Sequence, residues 1–141
     1  MIDIKYKITF LAFFILSLSL SAQRGFTGQE VFSHRFPENV KSISNSTLLI
    51  SNETDHDIIA LIRGQYSEYL RHVYIRTGEN WIFEDMPITR FYVQFKAKEF
   101  YFEDLKRTVV NFGEKHSFYF YYDPQQEEDY KKITEEEFFR W

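Results

Sequence analysis

Residues Tyr69–Phe95 constrain the fold most, because they hold three apolar runs that each alternate with a period of two. The runs are separated by Thr77–Asn80, which contains Gly78, and by Glu84–Pro87. Alternation of this kind is typical of half-buried strands, and a short glycine-containing loop between two strands predicts a hairpin. Proline cannot donate to a strand ladder, so no central strand runs through Pro87. We therefore predict three neighbouring antiparallel strands.

The same alternation assigns side chains to two faces of these strands. The face with Val, Phe and Trp makes the better core, so we expect Phe91, Val93 and Phe95 to be buried and Trp81 to be mostly buried. The opposite face is a partly aromatic surface and the predicted binding site, formed by His72, Tyr74, Ile82, Tyr92 and Gln94. Exposed tyrosines suit sugar stacking and protein contacts. In the alternative interpretation, cross-strand aromatic pairs stabilise the sheet, or the chain's own ends cover this face.

The first 22 residues have the pattern of a secretory signal peptide. Lys5 and Lys7 precede an apolar run at Ile8–Leu20, and small residues follow it. We predict cleavage after Ala22, with a cut after Ser21 as the second choice. An uncleaved membrane anchor is the alternative, but a span needs about 20 apolar residues and this run is shorter. The expected location is therefore exported: periplasmic, cell-surface or secreted.

The rest of the chain is long enough for one domain. The full chain has a net charge of −4, and loss of Asp3, Lys5 and Lys7 with the signal peptide makes it one unit more negative. A negatively charged protein is not expected to bind nucleic acid or anionic lipid. The aromatic content of 20% supplies a large core without disulfides, since the chain has no cysteine. The absence of cysteine favours a bacterial envelope or secreted protein.

The strand pattern predicts an all-β fold, a single antiparallel β-sandwich of about seven short strands. Outside the central region the strands are Thr47–Ser51, Asp57–Arg63, Thr108–Phe112 and Ser117–Tyr122, and Glu30–Phe36 is a candidate edge strand. Lys96–Leu105 fits either a bulged strand or a long loop. The predicted organisation is a signal peptide (1–22), an extended leader segment (23–46), the β-sandwich domain (47–122) and an acidic, aromatic C-terminal tail (123–141).

The tail ends in a predicted helical turn. Thr134 and Glu137 have the T-x-x-E spacing of a capping box, in which a threonine side chain and a glutamate side chain each satisfy a free backbone amide. The turn is expected to carry Phe138, Phe139 and Trp141 onto one end of the sandwich or onto a partner.

The stretch V-Y-I-R-x-G-E-x-W-x-F-x-x-M-P, followed by F-Y-V-Q-F, resembles prealbumin-like or carboxypeptidase-regulatory-like sandwiches. In those folds a strand, a glycine turn and a second strand precede an I-P-x-G-x-Y-x-V-x-F segment. Met86 and Pro87 match the start of that segment, whereas Thr89 stands where the family has glycine. With LISN at Leu49–Asn52 and ITEEEF at Ile133–Phe138, the chain resembles uncharacterised exported bacterial domains of this type. The resemblance implies a sandwich fold and no catalytic residues.

No pattern of residues predicts an enzyme. The five glycines form no phosphate-binding loop and no G-x-S-x-G elbow, and no H-E-x-x-H is present. Asp55, His56 and Asp57 are the one local group that resembles metal ligands, and a polar turn explains them as well. We expect no metal site and no cofactor. The glutamates of the tail are expected to be solvated charge.

The predicted function is therefore an exported, non-catalytic module that binds a protein or glycan partner in the cell envelope. One alternative is a hydrolase or metal-dependent enzyme with an unrecognised site. Another is a structural subunit that assembles with itself. We expect no membrane span to remain after the signal peptide is cleaved.

Overall fold

A computed structural model of the chain describes residues 24–121 and 130–141. The predicted signal peptide and its cleavage after Ala22 lie outside the described residues. No helix among the described residues has the length and hydrophobicity needed to cross a bilayer.

The described residues form nine strands, one 3-10 turn and one short helix. The strands are β1 (Thr47–Asn52), β2 (Ile58–Arg63), β3 (Tyr69–Ile75), β4 (Asn80–Phe83), β5 (Arg90–Ala97), β6 (Phe100–Asp104), β7 (Thr108–Val109), β8 (Lys115–Phe120) and β9 (Tyr130–Ile133). The 3-10 turn is Ser33–Arg35, and the helix α1 is Glu135–Phe139. The all-β prediction is confirmed.

The strands form two sheets. The smaller sheet has the order β4-β1-β8, and the larger sheet has the order β3-β2-β5-β6-β9, with β7 also paired to β5. All pairs are antiparallel except β1 with β8, which is parallel, so the smaller sheet is mixed. The count of about seven strands was too low because Lys96–Leu105 is a hairpin, with Lys98 at its turn in the left-handed region, and because β9 lies in the predicted tail.

β4 does not form a hairpin with β3, so that prediction is wrong. β4 instead lies antiparallel to β1, with Trp81 opposite Ile50. The turn before β4 bonds to the end of β1: the Asn52 amide donates to the Glu79 carbonyl, and the Gly78 amide donates to the Asn52 carbonyl, both at 2.9 Å. This turn therefore carries the chain from one sheet to the other.

The main core lies between the two sheets. It contains the predicted residues Phe91, Val93 and Phe95, whose burial is confirmed. The other core side chains come from both sheets and the loops between them: Leu48, Ile50, Ile58, Ala60, Ile62, Leu70, Val73, Ile75, Phe83, Met86, Ala97, Phe102, Val110 and Phe120.

Trp81 lies on the same face as the core residue Ile50 but is less buried than the other predicted core residues, with 36% of its surface exposed. β4 is one of the two outer strands of the smaller sheet, and Phe83 is the one buried residue in it. The indole of Trp81 packs against the backbone of Gly28, where an added Cβ would lie 2.5 Å from the ring. Gly28 also has a φ of +97°, so close approach and backbone conformation both require glycine there.

The leader segment runs along the free edge of β3. The Gly28 amide donates to the Tyr74 carbonyl, the Tyr74 amide donates to the Gln29 carbonyl, and the Val40 amide donates to the Leu70 carbonyl. Glu30–Phe36 is not the predicted edge strand, since it contains the 3-10 turn. Unpaired strand edges can recruit other chains, so these bonds protect one edge of the larger sheet.

A second core covers the outer face of the larger sheet. Phe36 of the leader segment and Phe138 and Phe139 of α1 pack there on Leu61 and Tyr69. Within the segment interpreted as a tail, β9 extends the larger sheet and α1 packs on it, whereas Trp141 is exposed. Aromatic side chains at both ends of the chain therefore fasten those ends onto the sheet.

The capping box predicted at Thr134 is confirmed. The Thr134 hydroxyl accepts from the Glu137 amide at 3.1 Å, and the Glu137 carboxylate accepts from the Thr134 amide at 3.2 Å. We expect Thr134→Ala to lower the free energy of unfolding by about 1 kcal/mol, because the side-chain acceptor is lost. Thr134→Ser keeps the acceptor and should restore most of the loss in chemical denaturation. Equal losses in both variants would contradict a capping role.

Candidate functional site

Four of the five predicted site residues lie on the outer face of the larger sheet. Leu61 of β2 stands between His72 on one side and Gln94 on the other. In the same way, Ile59 is opposite Tyr74 and Arg63 is opposite Tyr92. The alternation therefore assigned these side chains to the same face correctly. However, β2 lies between the β3 residues His72 and Tyr74 and the β5 residues Tyr92 and Gln94.

Ile82 does not belong to this group. It lies on β4 in the smaller sheet, opposite Leu49, and is half exposed. The expectation that Tyr74, Ile82 and Tyr92 occupy neighbouring strands is therefore wrong. Ile82 lies in the smaller sheet because the turn at Gly78 bonds to β1 and so places β4 beside that strand.

The predicted surface is also mostly covered. His72, Tyr92 and Gln94 are 1%, 5% and 3% exposed. Leader-segment residues cover the side of this face that carries His72, and α1 packs against its centre. The expectation of an exposed aromatic surface is wrong here, because the leader segment and α1 cover part of this face and the guanidinium of Arg107 lies 3.8 Å from the centre of the Tyr92 ring.

His72 fastens the leader segment to this face. Its Nε2 accepts from the Phe32 amide at 3.0 Å, and its Nδ1 lies 2.7 Å from the Tyr69 hydroxyl. That hydroxyl donates to the Asn39 side chain at 2.8 Å. Because Nε2 is an acceptor, the proton of the neutral ring is on Nδ1. Burial lowers the pKa of His72, while the charge of Glu30 opposes this shift.

Tyr74 fastens the start of the leader segment through Asp57. The Asp57 carboxylate accepts from Arg24 at 2.8 Å, from the Tyr74 hydroxyl at 2.6 Å and from the Thr77 amide at 3.0 Å. The hydrogen bond from Arg24 is the main reason that the pKa of Asp57 lies well below its usual range. Asp57 of the D-H-D turn therefore has a structural role.

The other residues of that turn do not complete a metal site in the described part of the chain. No group of three or more His, Asp or Glu side chains is placed there to hold an ion. The His56 carbonyl accepts from Asn52 at 2.7 Å and from Thr54 at 2.9 Å, which is the bonding of a polar turn.

A part of the outer face beside α1 stays open as a small recess of about 200 Å³. Its lining includes Tyr92 and Gln94 from the predicted site, together with three cations, Arg63, Lys131 and Arg140. We call this group of five residues the basic recess. Sequence reasoning missed its cations because they come from β2, β9 and the end of the chain.

A second open region lies at one end of the sandwich. Five large apolar side chains are exposed there: Ile43, Tyr66, Ile88, Val109 and Phe112, with 91%, 82%, 57%, 45% and 66% of their surface accessible. We call these five residues the loop-end surface. Tyr66, Ile88 and Val109 line one open depression of about 570 Å³.

Hydrogen bonds hold the segments of the loop-end surface together. The Ser42 amide donates to the Asp85 carbonyl, the Val110 amide to the Thr89 carbonyl and the Gly113 amide to the Ser44 carbonyl, at 2.8–2.9 Å. The sequence placed Ile43 in the leader segment, Tyr66 in a turn, and Val109 and Phe112 in the predicted strand Thr108–Phe112, which ends at Val109 in the structure. Alternation carries no signal outside strands. The signal that could have found them is the presence of large apolar residues in turn segments.

Neither protein-family models, curated proteins nor solved structures give a match to this chain. Its function is therefore argued from the geometry of these surfaces. Large exposed apolar groups in neighbouring loops are unusual on a monomer and mark interaction sites, whereas singly scattered ones are ordinary. The loop-end surface meets the first description.

Proposed function

We propose that this chain is an exported, non-catalytic β-sandwich module that binds a partner protein in the cell envelope through the loop-end surface. The observation that carries the proposal is the clustering of five exposed apolar side chains on segments that bond to one another or line one depression. The export part rests on the signal-peptide pattern, with Lys5 and Lys7 before the apolar run at Ile8–Leu20.

The chemistry of the loop-end surface favours a protein over a glycan as the partner. Ile43, Ile88, Val109 and Phe112 have no polar side-chain atom, and Tyr66 adds one hydroxyl. Apolar and aromatic anchors of this kind form the centre of protein interfaces. Glycan recognition depends more on polar groups that pair with sugar hydroxyls.

Partner capture from envelope extract tests this proposal. We expect the wild-type protein to retain one partner at defined stoichiometry, and the triple variant Tyr66→Ala, Ile88→Ala, Phe112→Ala to bind that partner at least about tenfold more weakly, since interface anchors dominate binding energy. The control is Ile82→Ala, Tyr119→Ala, which removes exposed apolar groups from the smaller sheet. Circular dichroism should show that both variants are folded.

Two outcomes would contradict the proposal. Equal capture by the triple variant and the control would mean that the partner binds elsewhere. A concentration-dependent dimer in sedimentation that the triple variant abolishes, with no partner captured, would instead assign the loop-end surface to self-assembly.

A further inference from the structure

The basic recess has a buried cation at its base. Arg63 is 2% exposed, and its guanidinium donates to the Gln94 side chain at 2.6 Å and to the carbonyls of Ser67 at 2.9 Å and Phe138 at 2.7 Å. A further bond reaches the Glu137 carbonyl at 3.3 Å. All of these acceptors are neutral. Among the described residues, no carboxylate forms an ion pair with Arg63, although the negative charge of Glu103 nearby favours the guanidinium cation.

Two carboxylates, Glu103 and Glu137, also line the recess. Glu103 accepts from the Gln94 amide at 2.8 Å and pairs with Arg107 at 3.5 Å. Glu137 accepts from the Thr134 amide in the capping box. Both carboxylates keep their negative charge, so three cations face two carboxylates in the recess.

Two more cations, Lys131 and Arg140, line the recess. Within the ranges that the structure describes, neither forms an ion pair. Burial lowers the pKa of the Arg63 guanidinium; Tyr92 and Glu103 oppose that shift, and the charge of Arg140 adds to it. Three positive side chains therefore converge on one small volume with two carboxylates, which leaves a net charge of one positive unit.

We propose that the basic recess binds a single oxyanion group: a carboxylate, sulfate or phosphate. The recess has a net positive charge, and Lys131 and Arg140, which form no ion pair in the part of the chain that the structure describes, can donate charge-assisted hydrogen bonds to an oxyanion. The volume of about 200 Å³ limits the ligand inside to one small group. Tyr92 and Gln94, two of the residues first predicted for binding, line this site. The proposal does not depend on the loop-end surface or on its partner.

Neighbouring lysines on β9 provide a matched test. Lys131 lines the recess, whereas the ammonium group of Lys132 lies over the ring of Phe100, 5.7 Å from its centroid. Both lysines are exposed, so neither substitution should disturb folding. Arg63 is left unchanged because its bonds to α1 support the fold. The variants are Lys131→Gln, Arg140→Gln and Lys132→Gln, in the full exported chain.

The measurement is a titration with sodium sulfate and with sodium acetate at constant ionic strength, followed by backbone amide NMR shifts. We expect saturable shifts around the recess, a dissociation constant at least tenfold higher in Lys131→Gln and Arg140→Gln, and a change under twofold in Lys132→Gln. A second titration compares glucuronate, a sugar that carries a carboxylate, with glucose, which carries none. It distinguishes an acidic sugar from a free ion as the ligand. Binding of glucuronate but not glucose would assign an acidic sugar, and binding of sulfate or acetate alone would assign a free oxyanion.

Three results would overturn the proposal. Shifts that do not saturate would mean non-specific screening. The same loss in Lys132→Gln as in Lys131→Gln would mean that overall charge, and not the recess, attracts the anion. Glucose binding as tightly as glucuronate would show that the negative charge is not what is recognised.

Discussion

Phe95→Ala is expected to lower the free energy of unfolding by about 3–5 kcal/mol, a large part of the roughly 5–15 kcal/mol of a typical domain. The Phe95 side chain is fully buried and joins the two sheets. Its ring stacks on Phe120 with centroids 3.9 Å apart, and lies 5.3 Å from Phe118 and 6.1 Å from Tyr130. Truncation leaves a cavity that three other rings cannot fill without moving.

Thermal unfolding would measure this loss, and we expect the melting temperature to fall by more than about 10 °C. The matched control is Phe112→Ala, the same substitution at a side chain that is 66% exposed, with an expected change below about 1 kcal/mol. Similar effects from the two substitutions would contradict the placement of Phe95 at the centre of the core.

Acid should destabilise the fold through His72. Burial keeps the folded-state pKa of this histidine below the value of about 6.5 that it has when unfolded. The unfolded chain therefore binds one more proton than the folded chain as the pH falls below about 6.5. The contribution of His72 to the free energy of unfolding is therefore complete above that pH. Below it, this contribution falls by up to about 1.4 kcal/mol per pH unit, until the histidine of the folded protein also becomes protonated. Protonated Nε2 could no longer accept from the Phe32 amide.

Chemical denaturation at several pH values between about 7 and 5 would measure this slope. In His72→Gln, the free energy of unfolding should depend less steeply on pH, by up to the contribution of one proton, about 1.4 kcal/mol per pH unit. His56→Gln is the control, because the bonds of His56 run through its backbone. An NMR titration in which His72 protonates at or above its ordinary pKa would contradict the expectation.

The sequence predicted most strands because their period-two alternation is a local property. It also placed His72, Tyr74, Tyr92 and Gln94 on one face for the same reason. It could not predict that β2 separates these pairs, because alternation specifies which side chains share a face and not which strand is the neighbour.

Coverage of that face depends on contacts between distant parts of the chain. Phe36 and Phe139 stack with centroids 5.6 Å apart, although they come from opposite ends of the described chain. No local pattern at Gln94 indicates that it bonds to Arg63 and Glu103 beneath such a cover. The loop-end surface was missed for a simpler reason, since its residues lie in turns and a short strand where periodicity is weak.

The parallel pairing of β1 with β8 also determines when the fold can be completed. β1 is the middle strand of the smaller sheet, and its partner β8 is made long after it, whereas β2–β3 and β5–β6 join through short turns. The long connection between β1 and β8 slows folding, because the chain loses the entropy of closing this loop before the contacts between the two strands compensate for it. The smaller sheet cannot be completed before β8, which ends at Phe120, has paired with β1. Until then one edge of β1 is unpaired, and unpaired strand edges are prone to aggregation.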